Sequence, residues 1–236
     1  MVKITPRNTD KFLKAFDTYM SGSRRDRKKV MEIQARGILK TLLSVTPPSG
    51  WNSSANEGEG EMIKGDDARK QGEAAVESDI RKLFQVRKKR PKNPCDIPSV
   101  HKRFRSSSDG RVHIKLNRGV IDKRYHVLAS DLNAYIALKK KQVGILTAGW
   151  VEAGKSIGGI KAPKWISKHS AKGSGKITVS SSRITFKASN DVPYAGQVAD
   201  FQRRITYALD AQAGKLERQI ENYEKRRMKK SGLPVK

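Results

Sequence analysis

Apolar residues recur along this chain in two rhythms, one helical and one extended, with stretches between them that follow neither. Phe12, Leu13, Phe16 and Tyr19 gather on one side of a short helix predicted over residues 8–20, and Ser21-Gly22-Ser23 breaks it. A longer helix is predicted from Arg24 to Ser44, because Val30, Ile33, Ile38, Leu42 and Val45 return at intervals of three to five. Thr46-Pro47-Pro48-Ser49-Gly50 ends it, since proline biases the residue before it out of the helical region. A third helix, from Asp66 to Arg87, would present Ala75, Val76, Ile80, Leu83 and Phe84.

The rhythm then changes. In Arg111–Asn117, Val112, Ile114 and Leu116 alternate with polar residues, as in a strand with one buried face. A helix is predicted from an N-cap at Ser130 to Val151, turning Leu132, Ile136, Val143, Leu146 and Trp150 inward. Glycines and Pro163 mark residues 154–175 as a long loop, pinned by Trp165 and Ile166. Ile177 and Val179, then Ile184 and Phe186, alternate on either side of a serine turn and predict a hairpin. Val198, Phe201, Ile205, Leu209, Leu216, Ile220 and Tyr223 predict a final helix from Gln197 to Met228, about 45 Å long at 1.5 Å per residue.

This order predicts an α+β fold, with a small antiparallel sheet packed against an N-terminal helix, a middle helix and a long C-terminal helix. Residues 1–50 read as the N-terminal helical part of the core. Residues 51–110 read as a mobile basic insertion, and residues 111–236 as the sheet and long-helix part.

Charge sharpens the picture. Fifty Lys and Arg face 23 Asp and Glu, leaving a net charge of +27, while hydrophobic residues make up only 36% of the chain. Such an excess repels itself unless something acidic is close, and neutralising phosphates releases counterions, so nucleic acid is the expected neighbour. Between Arg81 and Arg105 lie ten Lys or Arg and one acid, Asp96. From this run Arg87, Lys88, Lys89, Arg90, Lys102, Arg103 and Arg105 are candidates to face nucleic acid; the same run reads equally as a solvated linker. Cys95 is the single cysteine, which excludes an internal disulfide and a multi-cysteine zinc site. Met1–Lys14 has no apolar signal core, and no apolar stretch is long enough to span a bilayer. Synthesis in the cytosol and no membrane partner are expected.

Candidate chemistry is sparse. Gly149-Trp150-Val151-Glu152-Ala153-Gly154-Lys155-Ser156 matches the phosphate-cradling P-loop pattern. Its context argues against that chemistry: Gly158, Gly159 and Pro163 follow where a helix should start, and Glu152 would repel phosphate. His101, His113, His126 and His169 show no metal-ligand spacing, and Asp96, Asp109, Asp122 and Asp131 form no acidic cluster in sequence. No catalytic residue, cofactor or metal is expected. The long stripe of the final helix exceeds what a small sheet can cover, which predicts self-association.

Two short motifs add a resemblance. Leu42-Leu43-Ser44-Val45-Thr46-Pro47-Pro48-Ser49-Gly50 is a helix ending in a Pro-rich turn, and Val192-Pro193-Tyr194-Ala195 stands between the hairpin and the last helix. With Val143–Trp150, these resemble the head–tail neck, or tail-completion, proteins of tailed bacteriophages. Two departures stand out: Gly196-Gln197-Val198-Ala199-Asp200 replaces the family's usual continuation, and residues 51–110 form a larger insertion. The resemblance implies a homo-oligomeric ring in the virion neck, between portal or connector and tail-tube or terminator proteins, with double-stranded DNA passing through. Tyr194 of the second motif, with Phe201, Ile205, Leu216, Ile220 and Tyr223 of the final helix's apolar stripe, is the candidate oligomer interface. A basic RNA-binding accessory protein is the alternative, and a P-loop nucleotidase a more distant one.

Overall fold

A computed structural model describes residues 9–21, 26–48, 65–89, 91, 95–105, 116–117, 120–121, 124–180, 184–193, 195 and 201–230. Among the described residues it is an α+β fold of eight helices and three two-stranded pairs, dominated by helix.

Helix α1 (Thr9–Ser21) buries Phe12, Ala15 and Phe16 and leaves Leu13 exposed. Helix α2 (Arg27–Val45) starts three residues later than predicted, because the Asp26 side chain accepts from the Lys28 backbone N–H at 2.8 Å and fixes the N-terminus there. Its buried face is Val30, Met31, Gln34, Ala35, Ile38, Leu39, Leu42 and Val45, whereas Ile33 points outward. Helix α3 (Gly65–Leu83) is shorter than the predicted helix. Its expected last turn is instead strand β1 (Phe84–Arg87), which pairs in parallel with β4 (Tyr125–Leu128), Phe84 opposite Tyr125. The pairing overrides local helical rhythm. Helix α4 (Ile97–Phe104) accommodates Pro98 in its first turn, where the missing N–H removes no helix bond.

Of the strand predicted over residues 111–117, Leu116–Asn117 is β2, pairing with β3 (Val120–Ile121); the remainder lies outside the described residues. The single helix predicted from Ser130 is two helices, α5 (Ala129–Lys140) and α6 (Ile145–Lys155), and α5 begins one residue before Ser130. The break falls after the Lys139-Lys140-Lys141 run, at Gly144, whose φ of 100° is left-handed and whose missing Cβ leaves room for the Trp165 ring. Short α7 (Lys164–Ser167) buries Trp165 and Ile166, as the pinned loop required. Strands β5 (Gly173–Val179) and β6 (Ile184–Asn190) form the predicted antiparallel hairpin, and α8 (Phe201–Lys230) is the last element among the described residues.

Two cores organise these elements. The larger joins α1, α2, α6, α8 and the hairpin around residues such as Phe16, Met31, Leu39, Trp150, Ile184 and Leu216. The smaller joins α3, β1, α4, β4 and α5 around Ile80, Leu83, Phe84, Ile97, Val100, Val127, Leu132 and Ile136. Most of that second core comes from residues expected to lie in the 51–110 insertion; their apolar side chains are packed in the fold's interior. Each fully buried Leu, Ile or Phe contributes about 1.5–3 kcal/mol. Glu77 ties α3 to α5 through Lys140, with Arg81 at 2.7 Å, and these two cations hold its carboxyl below the usual range. Trp165, Ile166, Ala68 and Ala148 pack together between the two cores.

Helix α6 packs closely on the hairpin, backbone against backbone at Gly173 and Gly175. A Cβ on Gly173 would collide with the Gly149 carbonyl, one on Gly175 with the Ala153 carbonyl, and one on Gly149 with the Asn190 amide. The Asn190 amide then donates to the Leu146 carbonyl at 2.8 Å. Because backbone cannot retreat as a side chain can, Gly173→Val is expected to cost about 1–3 kcal/mol, read as a lower urea midpoint with an unchanged m-value.

Candidate basic and assembly surfaces

The basic run divides between two elements. Strand β1 turns Phe84 into the second core, and beyond it Arg87, Lys88 and Lys89 emerge exposed. Cross-strand pairing sets His126 opposite Gln85, and the His126 Nε2 lies 2.9 Å from Arg87 Nη2 and 3.1 Å from Gln85 Oε1. With Val86, Lys88, Lys89 and Pro91, this pair lines a shallow, open depression of about 690 Å³. Three cationic side chains around one concavity suit an anion such as phosphate. Arg90 lies outside the described residues. Lys102, Arg103 and Arg105 sit on the exposed side of α4 and at its end, while Ile97, Val100 and His101 face the core. They do not line the depression, so the basic run is two basic patches on one packed unit.

His101 is a buried histidine in basic surroundings. Its Nδ1 lies 2.9 Å from the Tyr135 hydroxyl, and the two rings meet edge to face at 5.7 Å. The Lys139 ammonium stands over the Tyr135 ring, 5.4 Å from its centroid. Burial, reinforced by Arg105 and Lys139, pushes His101 from 6.5 down to about 4, so it is neutral in the folded protein. The unfolded chain binds the proton more readily. The stability His101 contributes is therefore full above pH 6.5 and is lost as pH falls toward 4. Chemical denaturation over that range should show a steeper acid loss for the native protein than for His101→Gln.

The stripe of α8 is partly internal. Leu216 is fully buried and belongs to the chain's own core, not to a surface; Phe201 and Ile205 also pack against that core. Only Ile220, half-buried, and Tyr223, exposed, remain for a partner. Tyr194 lies outside the described residues. Pairing of Arg204 with the Val45 carbonyl and of Gln212 with Gln34 sets α8 antiparallel to α2. From Gln212, α8 runs 18 residues on to Lys230, while α2 has only seven from Gln34 back to Arg27. At 1.5 Å per residue, α8 outruns α2 by about 16 Å.

The P-loop match is helical. Gly149–Lys155 lies inside α6, so its backbone N–H groups serve the helix ladder, and Lys155 pairs with Glu152 at 2.7 Å. The small residues are there for packing: Gly149 and Ala153 form the strip that meets Gly173 and Gly175. Glycines spaced by two in a strand, with small residues spaced by four in a helix, are the signal for this contact in the sequence. Among the described residues no group of three His, Cys, Asp or Glu could hold a metal ion, and no helix is long and apolar enough to cross a membrane.

A scan of protein-family models and searches of curated proteins and of solved structures return no match to this chain. Its functional reading therefore rests on its own residues.

Proposed function

We propose that the protein is a structural virion component of a tailed phage, one subunit of a head–tail neck ring through which double-stranded DNA passes. Portal or connector proteins on one side, and tail-tube or terminator proteins on the other, are its partners. It needs no cofactor and performs no catalysis; it is made in the host cytoplasm and ends in the virion.

The observation that carries this reading is the free end of α8. The helix buries Arg204, Ala208, Leu209, Gln212, Ala213 and Leu216, then exposes every described side chain from Glu217 to Arg226 except half-buried Ile220. A helix that continues past the body it stabilises, still carrying Ile220 and Tyr223, is suited to reception by a neighbouring subunit. Head-to-tail reception of this kind closes into a ring when the rotation permits. The +27 charge supports a place beside DNA.

The test is the mass of the purified protein by light scattering at low and high salt, with negative-stain images of the same sample. A ring, formed alone or on purified capsids or tails, is expected. A persistent monomer that shifts only on adding RNA would replace this reading with the RNA-binding accessory one. Ile220→Glu with Tyr223→Asp should prevent assembly yet change unfolding free energy by no more than about 0.5 kcal/mol, the usual range for surface changes.

A further inference from the structure

The run around β1 is the densest basic segment, but the longest stretch of the chain without an acid lies elsewhere. From Ala153 to Asn190 there are eight Lys or Arg and neither Asp nor Glu. Every lysine in that segment is exposed. The hairpin β5–β6 occupies its second half and gives it a defined face.

Strand alternation sorts the side chains. Gly173, Gly175 and Ile177 turn toward α6 and the core, and Ser174, Lys176 and Thr178 turn to solvent. Register sets Ser189 opposite Ser174, Lys187 opposite Lys176 and Thr185 opposite Thr178. The outer face is thus a lysine pair flanked by hydroxyl pairs; the Ser174 and Ser189 oxygens are 2.7 Å apart, and the Ser189 hydroxyl donates to the Asp191 carboxylate at the edge of the face, at 3.2 Å. Like charges directly opposite on a strand pair are destabilising. Among the described residues no ion pair reaches Lys176 or Lys187. The hairpin tolerates two facing ammonium groups because the glycine contact with α6 holds it from behind. An anion between them would turn the repulsion into attraction.

We propose that the outer face of the β5–β6 hairpin binds the phosphate backbone of duplex DNA, independently of sequence. Lysine ammoniums and Ser/Thr hydroxyls are donors to phosphate oxygens. The face has none of the Arg, Asn or Gln side chains that read base edges in pairs, and no aromatic ring on which an unpaired base could stack. That composition selects duplex backbone over single strands. The inference deepens the DNA-proximity part of the reading above, and it does not require a ring.

The experiment is fluorescence anisotropy of the full-length protein with labelled duplexes of two unrelated sequences, across a salt series. Each phosphate contact contributes about 0.9 to the slope of log K against log salt, so Lys176→Ala with Lys187→Ala should lower the slope by about 1.8. The loss should be equal on both sequences, and Lys176→Arg with Lys187→Arg should restore binding. Removing the repulsion should leave the alanine variant melting no lower than the native protein at low salt, which separates lost binding from lost folding. An unchanged slope in that folded variant overturns the proposal. So does a slope that falls instead with Lys88→Ala and Lys89→Ala, which would assign DNA to the end of β1, or tighter binding to a single strand than to its duplex. Light scattering of the same alanine variant reads ring formation separately, so the neck reading and the hairpin proposal can fail independently.

Discussion

The buried C-terminal end of α2 is the constraint on which the rest of the large core depends. The last carbonyls of a helix have no partner within it, and leaving them unpaired in an apolar interior costs about 1–3 kcal/mol each. Here Thr46 returns its hydroxyl to the Leu42 carbonyl at 2.6 Å and its own N–H to the same oxygen at 2.9 Å. The Trp150 indole donates to Thr46 Oγ1 at 2.9 Å, and the Thr147 hydroxyl to the Pro47 carbonyl at 3.1 Å. The Arg204 guanidinium donates to the Val45 carbonyl, where the negative end of the helix dipole favours a cation. Two of these donors come from α6 and one from α8. Satisfying one helix end therefore fixes the positions of two others, and Trp150 stacks on Phe201 at 6.0 Å to complete the joint.

The elements that sequence periodicity found were those with one buried face over several turns or an alternating strand pair. Helix α2, the hairpin and α8 are of this kind. What periodicity missed was decided by distant partners. Phe84–Arg87 continues a helical rhythm but pairs with β4, some forty residues away on the scale of a parallel crossover. The middle helix breaks because Trp165 occupies the space beside Gly144, which no window around Gly144 contains. Residues 65–105 looked like an insertion because their charges outnumber their apolar residues, yet those few apolar residues share one interior with α5 and β4.

The candidate surfaces follow the same division. The basic residues around β1 and α4 were readable as charge, though only packing shows that they form two patches and that His126 joins one of them. The stripe of α8 was readable as hydrophobic, but sequence alone could not separate Leu216, which closes the core, from Tyr223, which does not. The P-loop pattern was readable, and so was the context that argued against it; what sequence did not show is that its small residues answer to the hairpin behind them. The cross-strand facing of Lys176 and Lys187 needed the register.

The large core also fixes an order of assembly. Its two polar ties between α2 and α8 span 159 and 178 residues of chain. The smaller core draws only on residues between α3 and α5 and contains its own parallel strand pair. During synthesis, α1 and α2 emerge first and must wait, with their apolar faces uncovered, until almost the whole chain has followed. Contacts at such separation slow folding through the entropy of closing the loop. The smaller unit, complete much earlier, can gather its residues while the larger one is still missing its last helix. The excess of Lys and Arg over acids along residues 9–45 opposes association of such half-made chains, a benefit of charge that precedes any encounter with a partner.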